Sequence, residues 1–251
     1  MTFCIVIPTV RQDRPGFQET MEQVRASFTL PTEFHILDGG DGKVKALNRA
    51  LGEILPPSKA DIYVTLDDDI ILHPGWQEKI VEGFEAMPKV GILSLWLGDS
   101  EEVKEYVGEN TLEPWATKDN VRYRKCQPWR HIPGIMLCFR REVAQIIGQQ
   151  PETGLKYDVF EDAWRGRKAW KLGWESAYID GPLPKLVTYQ DSSEYMHEKR
   201  QDMNRSREIM DQVMGRDGVG DPLSWRLRRM AAKLLGRAKA DPEAPNQIQG
   251  K

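Results

Sequence analysis

The stretch Ala60-Asp-Ile-Tyr-Val-Thr-Leu-Asp-Asp-Asp-Ile-Ile-Leu-His-Pro-Gly-Trp76 constrains the fold more than any other part of the chain. Ile62 to Leu66 is a short apolar run rich in β-branched and aromatic residues, the pattern of a buried strand. Asp67, Asp68 and Asp69 follow at once, so three like charges stand where that strand leaves its sheet. Carboxylates this crowded raise one another's pKa unless a cation compensates them, and all-oxygen donors of this kind suit a hard divalent ion. A solvated acidic turn is the other reading of the same residues. In open α/β sheets ligands gather at the carboxyl ends of strands, which makes this strand end the first place to look for function.

The flanking segments extend the pattern. Phe3 to Ile7 reads as a strand ended by Pro8, with Thr9 to Gly16 a polar loop at its carboxyl end. Phe17, Met21, Val24 and Phe28 recur at helical spacing and form one apolar face. Phe34 to Leu37 is a second strand, leading into Asp38-Gly-Gly-Asp-Gly42, where the backbone either approaches a ligand or makes a plain tight turn. Val44, Leu47, Leu51 and Ile54 mark a second amphipathic helix. Its first turns carry Lys43, Lys45, Asn48 and Arg49, a place for phosphate oxygens or, equally, a solvated charged face. Ile80, Val81, Phe84 and Met87 predict a third helix, and Gly91 to Leu97 a further strand. The order β-α-β-α-β-α-β with short connections predicts the α/β class: a mostly parallel central sheet with helices on both faces. With 251 residues the chain is long enough to build this as one large domain.

Beyond Gly98 the rhythm stops. From there to His131 an acidic half gives way to a basic, aromatic half, Arg122 to Arg130, over a length unusual for a connection; an acceptor-contacting lid and an irregular hairpin both fit. Gly134 to Phe139 returns to strand, and Arg141 to Ile147 is a short helix closed by Gly148. Phe160 to Trp164 opens a helix whose first turn holds Glu161 and Asp162, for which the helix dipole is an adequate account. Trp174 to Ile179 and Lys185 to Tyr189 read as a closing pair of strands. A polar helix containing His197 is predicted from about Ser192 to Met214.

Taken in order, Ile7-Pro-Thr9, Asp38-Gly-Gly40, Ala46-Leu-Asn-Arg-Ala50, Leu66-Asp-Asp-Asp69, Pro133-Gly134 with Phe139-Arg-Arg-Glu142, and Glu161-Asp162 followed by Leu172-Gly173 and Tyr178 resemble the GT-A glycosyltransferases of the large family 2 type, over roughly Phe3 to Tyr189. The resemblance implies a GT-A domain, Rossmann-like, over residues 1–215, with a D-x-D element at Asp67 to Asp69 and an E-D element at Glu161 and Asp162. It implies an enzyme of the EC 2.4 class, a nucleotide-sugar donor with UDP-sugars favoured, and Mn2+ or Mg2+ as cofactor. Pro8, Thr9 and Arg11 would border the nucleotide, Asp38 would accept from the base, and Lys45 and Asn48 would lie near the base or diphosphate. Asp67 and Asp68 would belong to the donor-binding group, and Asp69 would be the firmest metal ligand with Asp67 beside it. In inverting members the Asp of the E-D element, here Asp162 next to Glu161, removes the acceptor's proton. One departure stands out: many members carry a metal-binding His just after the last strand, where this chain has Thr188, and the nearest His is His197 in the following helix.

Two rival classes remain. A nucleotidyltransferase would show a glycine- and basic-rich phosphate loop after the first strand, whereas Pro8 to Pro15 contains no glycine. A non-catalytic nucleotide- or carbohydrate-binding protein would have no use for both carboxylate elements, yet both are present.

The acceptor is the least legible part. Leu223, Leu227, Met230, Leu234 and Leu235, joined by Trp225, share a face of a basic amphipathic extension, 216–240, which either packs on the domain or lies at an anionic membrane surface. Residues 241–251 carry too few apolar side chains to pack and read as a disordered tail. Acceptor glycans and lipid-linked sugars lead, with nucleic acid, including modified DNA, behind them; a net charge of −3 does not mark a general polyanion binder. The apolar run Phe3 to Pro8 is too short for a leader or a span, so the expectation is a cytoplasmic protein with at most peripheral membrane contact. Cys4, Cys126 and Cys138 show neither metal-type nor disulfide spacing.

Overall fold

Helices cover both faces of a mixed eight-stranded sheet in the computed structural model, which describes residues 1–96, 112–128, 130, 132–157 and 160–216. The strands are β1 (Phe3–Thr9), β2 (Thr32–Asp38), β3 (Ile62–Leu66), β4 (Ile70–Ile71), β5 (Val90–Leu95), β6 (Ala116–Lys118), β7 (Val121–Lys125), β8 (Met136–Arg140), β9 (Glu175–Ile179) and β10 (Lys185–Leu186). The helices are α1 (Phe17–Ala26), α2 (Lys43–Arg49), α3 (Trp76–Ala86), α4 (Arg141–Ile147), α5 (Glu161–Lys171) and α6 (Ser193–Arg216). The main sheet runs β2-β1-β3-β8-β5-β9-β7-β6, and β10 pairs separately with β4. Pairing is parallel for β1 with β2, β1 with β3, and β5 with β9, and antiparallel elsewhere. Only β7 and β8 therefore oppose the common direction of the sheet, the mostly parallel arrangement that the β-α alternation predicts.

The continuous apolar runs are explained by burial on both faces. Along β1, Phe3, Ile5 and Ile7 pack with Phe17, Met21 and Val24 of α1 and Trp76, Ile80 and Phe84 of α3. The alternate residues Cys4 and Val6 meet Leu47 of α2, Val143 of α4 and Trp164 of α5 on the other side. Pro8 does not end β1, which continues to Thr9. The last pair with β3 is Val6 with Thr65, so the missing N–H of Pro8 falls beyond that ladder.

Of three local outcomes, the first and the last differ from the sequence reading, and the second matches one of its two alternatives. After Arg49, α2 continues as a π-helical turn over Ala50–Ile54, closed by the Leu55 N–H on the Ala50 carbonyl at 2.9 Å. Within the long segment after β5, the described part is a hairpin, β6–β7, whose turn residues Asp119 and Asn120 have φ of 50° and 64°; short polar side chains tolerate that left-handed backbone best. Leu97 to Thr111, Trp129 and His131 lie outside the described residues. Finally, Lys185 to Tyr189 does not close the sheet beside β9. Both sides of β9 are already taken by β5 and β7, and the Pro182–Pro184 stretch carries the chain to β4, where Leu186 faces Ile70 and Lys185 faces Ile71.

Helix α6 is polar at its start, but Ile209, Met210, Val213 and Met214 pack into the core near its end. The predicted extension and tail fall almost wholly in 217–251, outside the described residues. No described helix is long and apolar enough to cross a membrane.

Candidate active site

The carboxyl ends of β1 and β3 bring Thr9, Arg11 and the three aspartates together. Asp68, in the middle, is turned inward: its carboxylate accepts from the Thr9 hydroxyl on one oxygen and from Arg11 Nη1 at 2.6 Å on the other. Thr9 is held in turn by the Arg11 backbone N–H at 2.8 Å. The same guanidinium reaches Asp69 at 3.2 Å and forks onto Asp191, with Nε and Nη2 at 3.3 and 3.1 Å from its two oxygens. Planar, multiply bonded pairs of this kind are what arginine forms and lysine cannot. Asp191 arrives because β10 docks on β4. The Val187 N–H donates to the Asp69 carbonyl at 2.7 Å, and the Tyr189 hydroxyl to the Asp68 carbonyl at 3.0 Å. The rings of Tyr189 and Tyr195 lie 5.3 and 5.5 Å from the Arg11 guanidinium carbon.

Asp67 faces the other way. Its Oδ1 is 2.8 Å from Lys43 Nζ, and that ammonium is 2.6 Å from Glu161 Oε1, so one cation joins the strand end to the start of α5. Asp162 sits beside Glu161 at the start of α5. It accepts from the Gly134 N–H at 2.9 Å and from the Ala163 N–H at 2.6 Å. Two glycines make room for this arrangement. Gly42, which precedes Lys43, has φ of 115°, where side chains are strained, and Gly134 lies so close that a Cβ there would stand 3.0 Å from Glu161 Oε1.

Electrostatics separate the carboxylates. Burial, opposed by Lys43 and reinforced by Asp69, pushes Asp67 up to about 6. Burial and then the neighbouring Glu161 push Asp162 up to about 7, although two backbone N–H groups pull against this. Asp69 is also raised, by burial and by Asp68. For Lys43 burial favours the neutral amine, but Asp67 and Glu161 outweigh it and hold the ammonium well above its ordinary range. An acid whose ionisation falls near neutrality suits proton transfer at physiological pH.

The other residues predicted for the site divide. Pro8 is buried in β1, next to Thr9. Asp38 is exposed at the end of β2, with its Oδ1 taking the Gly40 N–H at 2.8 Å, and Lys45 is exposed. Asn48 is committed elsewhere: its amide donates to the Gln150 carbonyl at 2.8 Å and accepts the Gln150 N–H at 2.9 Å, tying α2 to the chain after α4. His197 is exposed on α6, with Nε2 2.7 Å from the Gln201 amide nitrogen. Asp67, Asp69 and His197 do not have their ligand atoms all within 4.8 Å of one another, because Asp67 is turned to Lys43, Asp69 to Arg11 and His197 to Gln201. Asp191 is the site residue that the sequence did not single out; Lys43, expected near phosphate oxygens, bridges two carboxylates instead, and Gly134, expected only as part of a motif, donates to Asp162. The basic, aromatic segment takes shape on β7, where Arg124 lies 5.0 Å from the Trp96 ring and 5.6 Å from the Trp115 ring, and Arg122 lies 4.4 Å from Trp115.

For a divalent ion the donor chemistry fits. The side chains of Asp67 and Asp69 remain 30% and 26% exposed while that of Asp68 is 10% exposed, so the outer two offer oxygens to solvent and the middle one is structural. Both of the offered carboxylates are raised, chiefly by burial and further by the neighbouring acids, so a cation bound there would meet carboxyls whose ionisation it favours.

No family model matches the chain, and no curated protein matches it. Solved structures do share its architecture. The mannosyltransferase PcManGT from Pyrobaculum calidifontis, in complex with GDP-Man and Mn2+, aligns over 94% of this chain and 81% of its own at 15% identity, with a TM-score of 0.50. Residues 1–349 of S. aureus TarS align over 94% of this chain and 71% of that one at 13% identity, with a TM-score of 0.54. The fold is the GT-A fold of glycosyltransferases.

Proposed function

We propose that this GT-A chain is a metal-dependent glycosyltransferase of the EC 2.4 class, moving a sugar from a nucleotide-sugar donor, UDP-linked before others, to an acceptor hydroxyl with inversion. The observation that carries the reading is the Lys43 bridge: one ammonium couples Asp67 at the strand end to Glu161, and so sets Asp162 at a fixed place across from the D-x-D carboxylates. PcManGT, bound to GDP-Man and Mn2+, has the same architecture, which supports a nucleotide-sugar and a divalent ion here as well.

In this reading Asp69 and Asp67 would hold Mn2+ or Mg2+, with His197 of α6 as the further ligand expected from the sequence. Such an ion, when bound, would supply Lewis acidity toward a diphosphate. Thr9 and Arg11 border the nucleotide through the loop after β1. Asp162 accepts the proton of the acceptor hydroxyl, its oxygens oriented by the N–H groups of Gly134 and Ala163. Glu161 keeps Lys43 in place and, as a like charge, keeps the base from ionising too early. Acceptor glycans or lipid-linked sugars would stack on the partly exposed Trp115 ring, which Arg122 and Arg124 flank and the buried Trp96 backs.

A turnover and thermal-shift screen of nucleotide sugars, with and without Mn2+, tests the reading. A donor that binds and turns over only with the ion is the expected result; equal binding and turnover in chelator removes the metal from the proposal.

A further inference from the structure

A second cluster of metal-type ligands lies at the opposite end of the first two strands. We propose that Cys4, Glu33 and His35 form a binding site for a thiophilic divalent cation, zinc by preference, that staples the edge strand β2 to β1.

The parallel register sets Cys4 opposite Glu33 and Val6 opposite His35. Alternate residues of a strand share a face, so Cys4, Glu33 and His35 all project on the side of the sheet that carries α2. One ligand atom from each lies within 4.8 Å of the other two, the one such group of three among the described residues. Around a tetrahedral zinc with ligands at about 2.0–2.3 Å, donor atoms stand roughly 3.5 Å apart, so small side-chain rotations close the set. The donors are a sulfur, an imidazole nitrogen and a carboxylate oxygen, a mixture that favours zinc over the hard ions suited to Asp67 and Asp69.

A separate observation points to a missing partner. The Nε2 of His35 is buried and makes no hydrogen bond, although buried ring nitrogens are ordinarily paired. Cys4 is fully buried and bonded to the Ser58 side chain, while Glu33 is exposed, so an ion would enter from the Glu33 side and keep a water as fourth ligand. Ligation deprotonates the Cys4 thiol, and the proton leaves to solvent. Cys4 is five residues from Thr9 along β1, about 16 Å at ~3.3 Å per residue, so this site is distinct from the carboxylates at the other end. Sequence spacing concealed it because the ligands are neighbours only through strand pairing.

The test is titration of the metal-stripped full chain with Co2+, whose bond to a thiolate gives a charge-transfer absorption that carboxylates do not give. The expected result is one equivalent of cobalt producing the band in the unmodified chain and in Asp69→Asn, and loss of the band in Cys4→Ser and in His35→Gln. Zn2+ should bleach it. No band in the unmodified chain overturns the proposal, as does a band that survives His35→Gln or disappears in Asp69→Asn. If Cys4→Ser fails to fold, His35→Gln on the edge strand carries the test by itself.

Discussion

At the Arg11 end of the active site, Asp68, Asp69 and Asp191 meet a planar guanidinium; at the Lys43 end, Asp67 and Glu161 meet a single ammonium, with Asp162 one residue on. Both groups set acids against one cation and both start from the end of β3, yet their chemistry differs. Arg11 is held by several oxygens in fixed directions, and Asp68 lends both of its own to Thr9 and Arg11, which makes this group architecture. Lys43 is a point charge, and Asp162 accepts the backbone N–H groups of Gly134 and Ala163 beside the like charge of Glu161. Burial therefore leaves that acid near neutrality, poised to give or take a proton. The kind of cation, more than the number of acids, separates the group that is held rigid from the group whose acid is raised toward neutrality.

The largest expected effect comes from Asp162→Asn. It should lower kcat by about 10³-fold with donor binding nearly unchanged, because a general base contributes to the chemical step alone. Single-turnover kinetics beside donor titration check this. A fully active Asp162→Asn with an inactive Glu161→Gln would exchange their roles and move the poised group.

Removing either cation tests the contrast directly. Arg11→Met leaves three carboxylates facing one another and should cost about 3 kcal/mol or more; Lys43→Met, which removes a more exposed cation and leaves two carboxylates, should cost about 2 kcal/mol. Urea denaturation of both variants measures the difference. A larger loss at Lys43 would mean that the bridge, and not the clamp, is the structural element.

The pH profile sharpens the comparison further. Asp162 acts as a base only when ionised, so kcat/KM should rise with pH through about 7. Removing the like charge with Glu161→Gln should move that midpoint down by about one unit. Stability runs the opposite way. A carboxyl that ionises near 3.8 unfolded and about 7 folded favours the native state below the lower value and loses that contribution as pH rises to the upper one. Asp67 adds the same trend up to about 6. The smallest effect belongs to His197→Ala: an exposed side chain bonded only to Gln201 should change stability by less than about 0.5 kcal/mol, measured by thermal unfolding.

Much of this was readable in the residues because the pattern was local. The strand ahead of Asp67 to Asp69 and the helix opening at Glu161 and Asp162 each announce themselves within a few positions, and the β-α alternation follows from periodicity alone. The failures share a cause. Lys43 and Lys45 are equivalent in sequence, and only the turn of α2 after Gly42 decides that the first faces Asp67 and the second faces water. Asn48 has the chemistry of a phosphate ligand until Gln150 takes its amide. Asp191 joins the site through β4 and β10, strands of two residues each, too short for any periodic signal.

The grip of Arg11 on Asp191 joins residues 180 positions apart. During synthesis the aspartate cluster and Arg11 emerge from the ribosome early, whereas Asp191, which takes Nε and Nη2 of the guanidinium, is added only after most of the sheet has been made. Closing so long a loop is slow compared with forming the local β-α units. Assembly of the Arg11 clamp is thus completed late in the life of each molecule, since two of the three guanidinium nitrogens find their acceptors on Asp191.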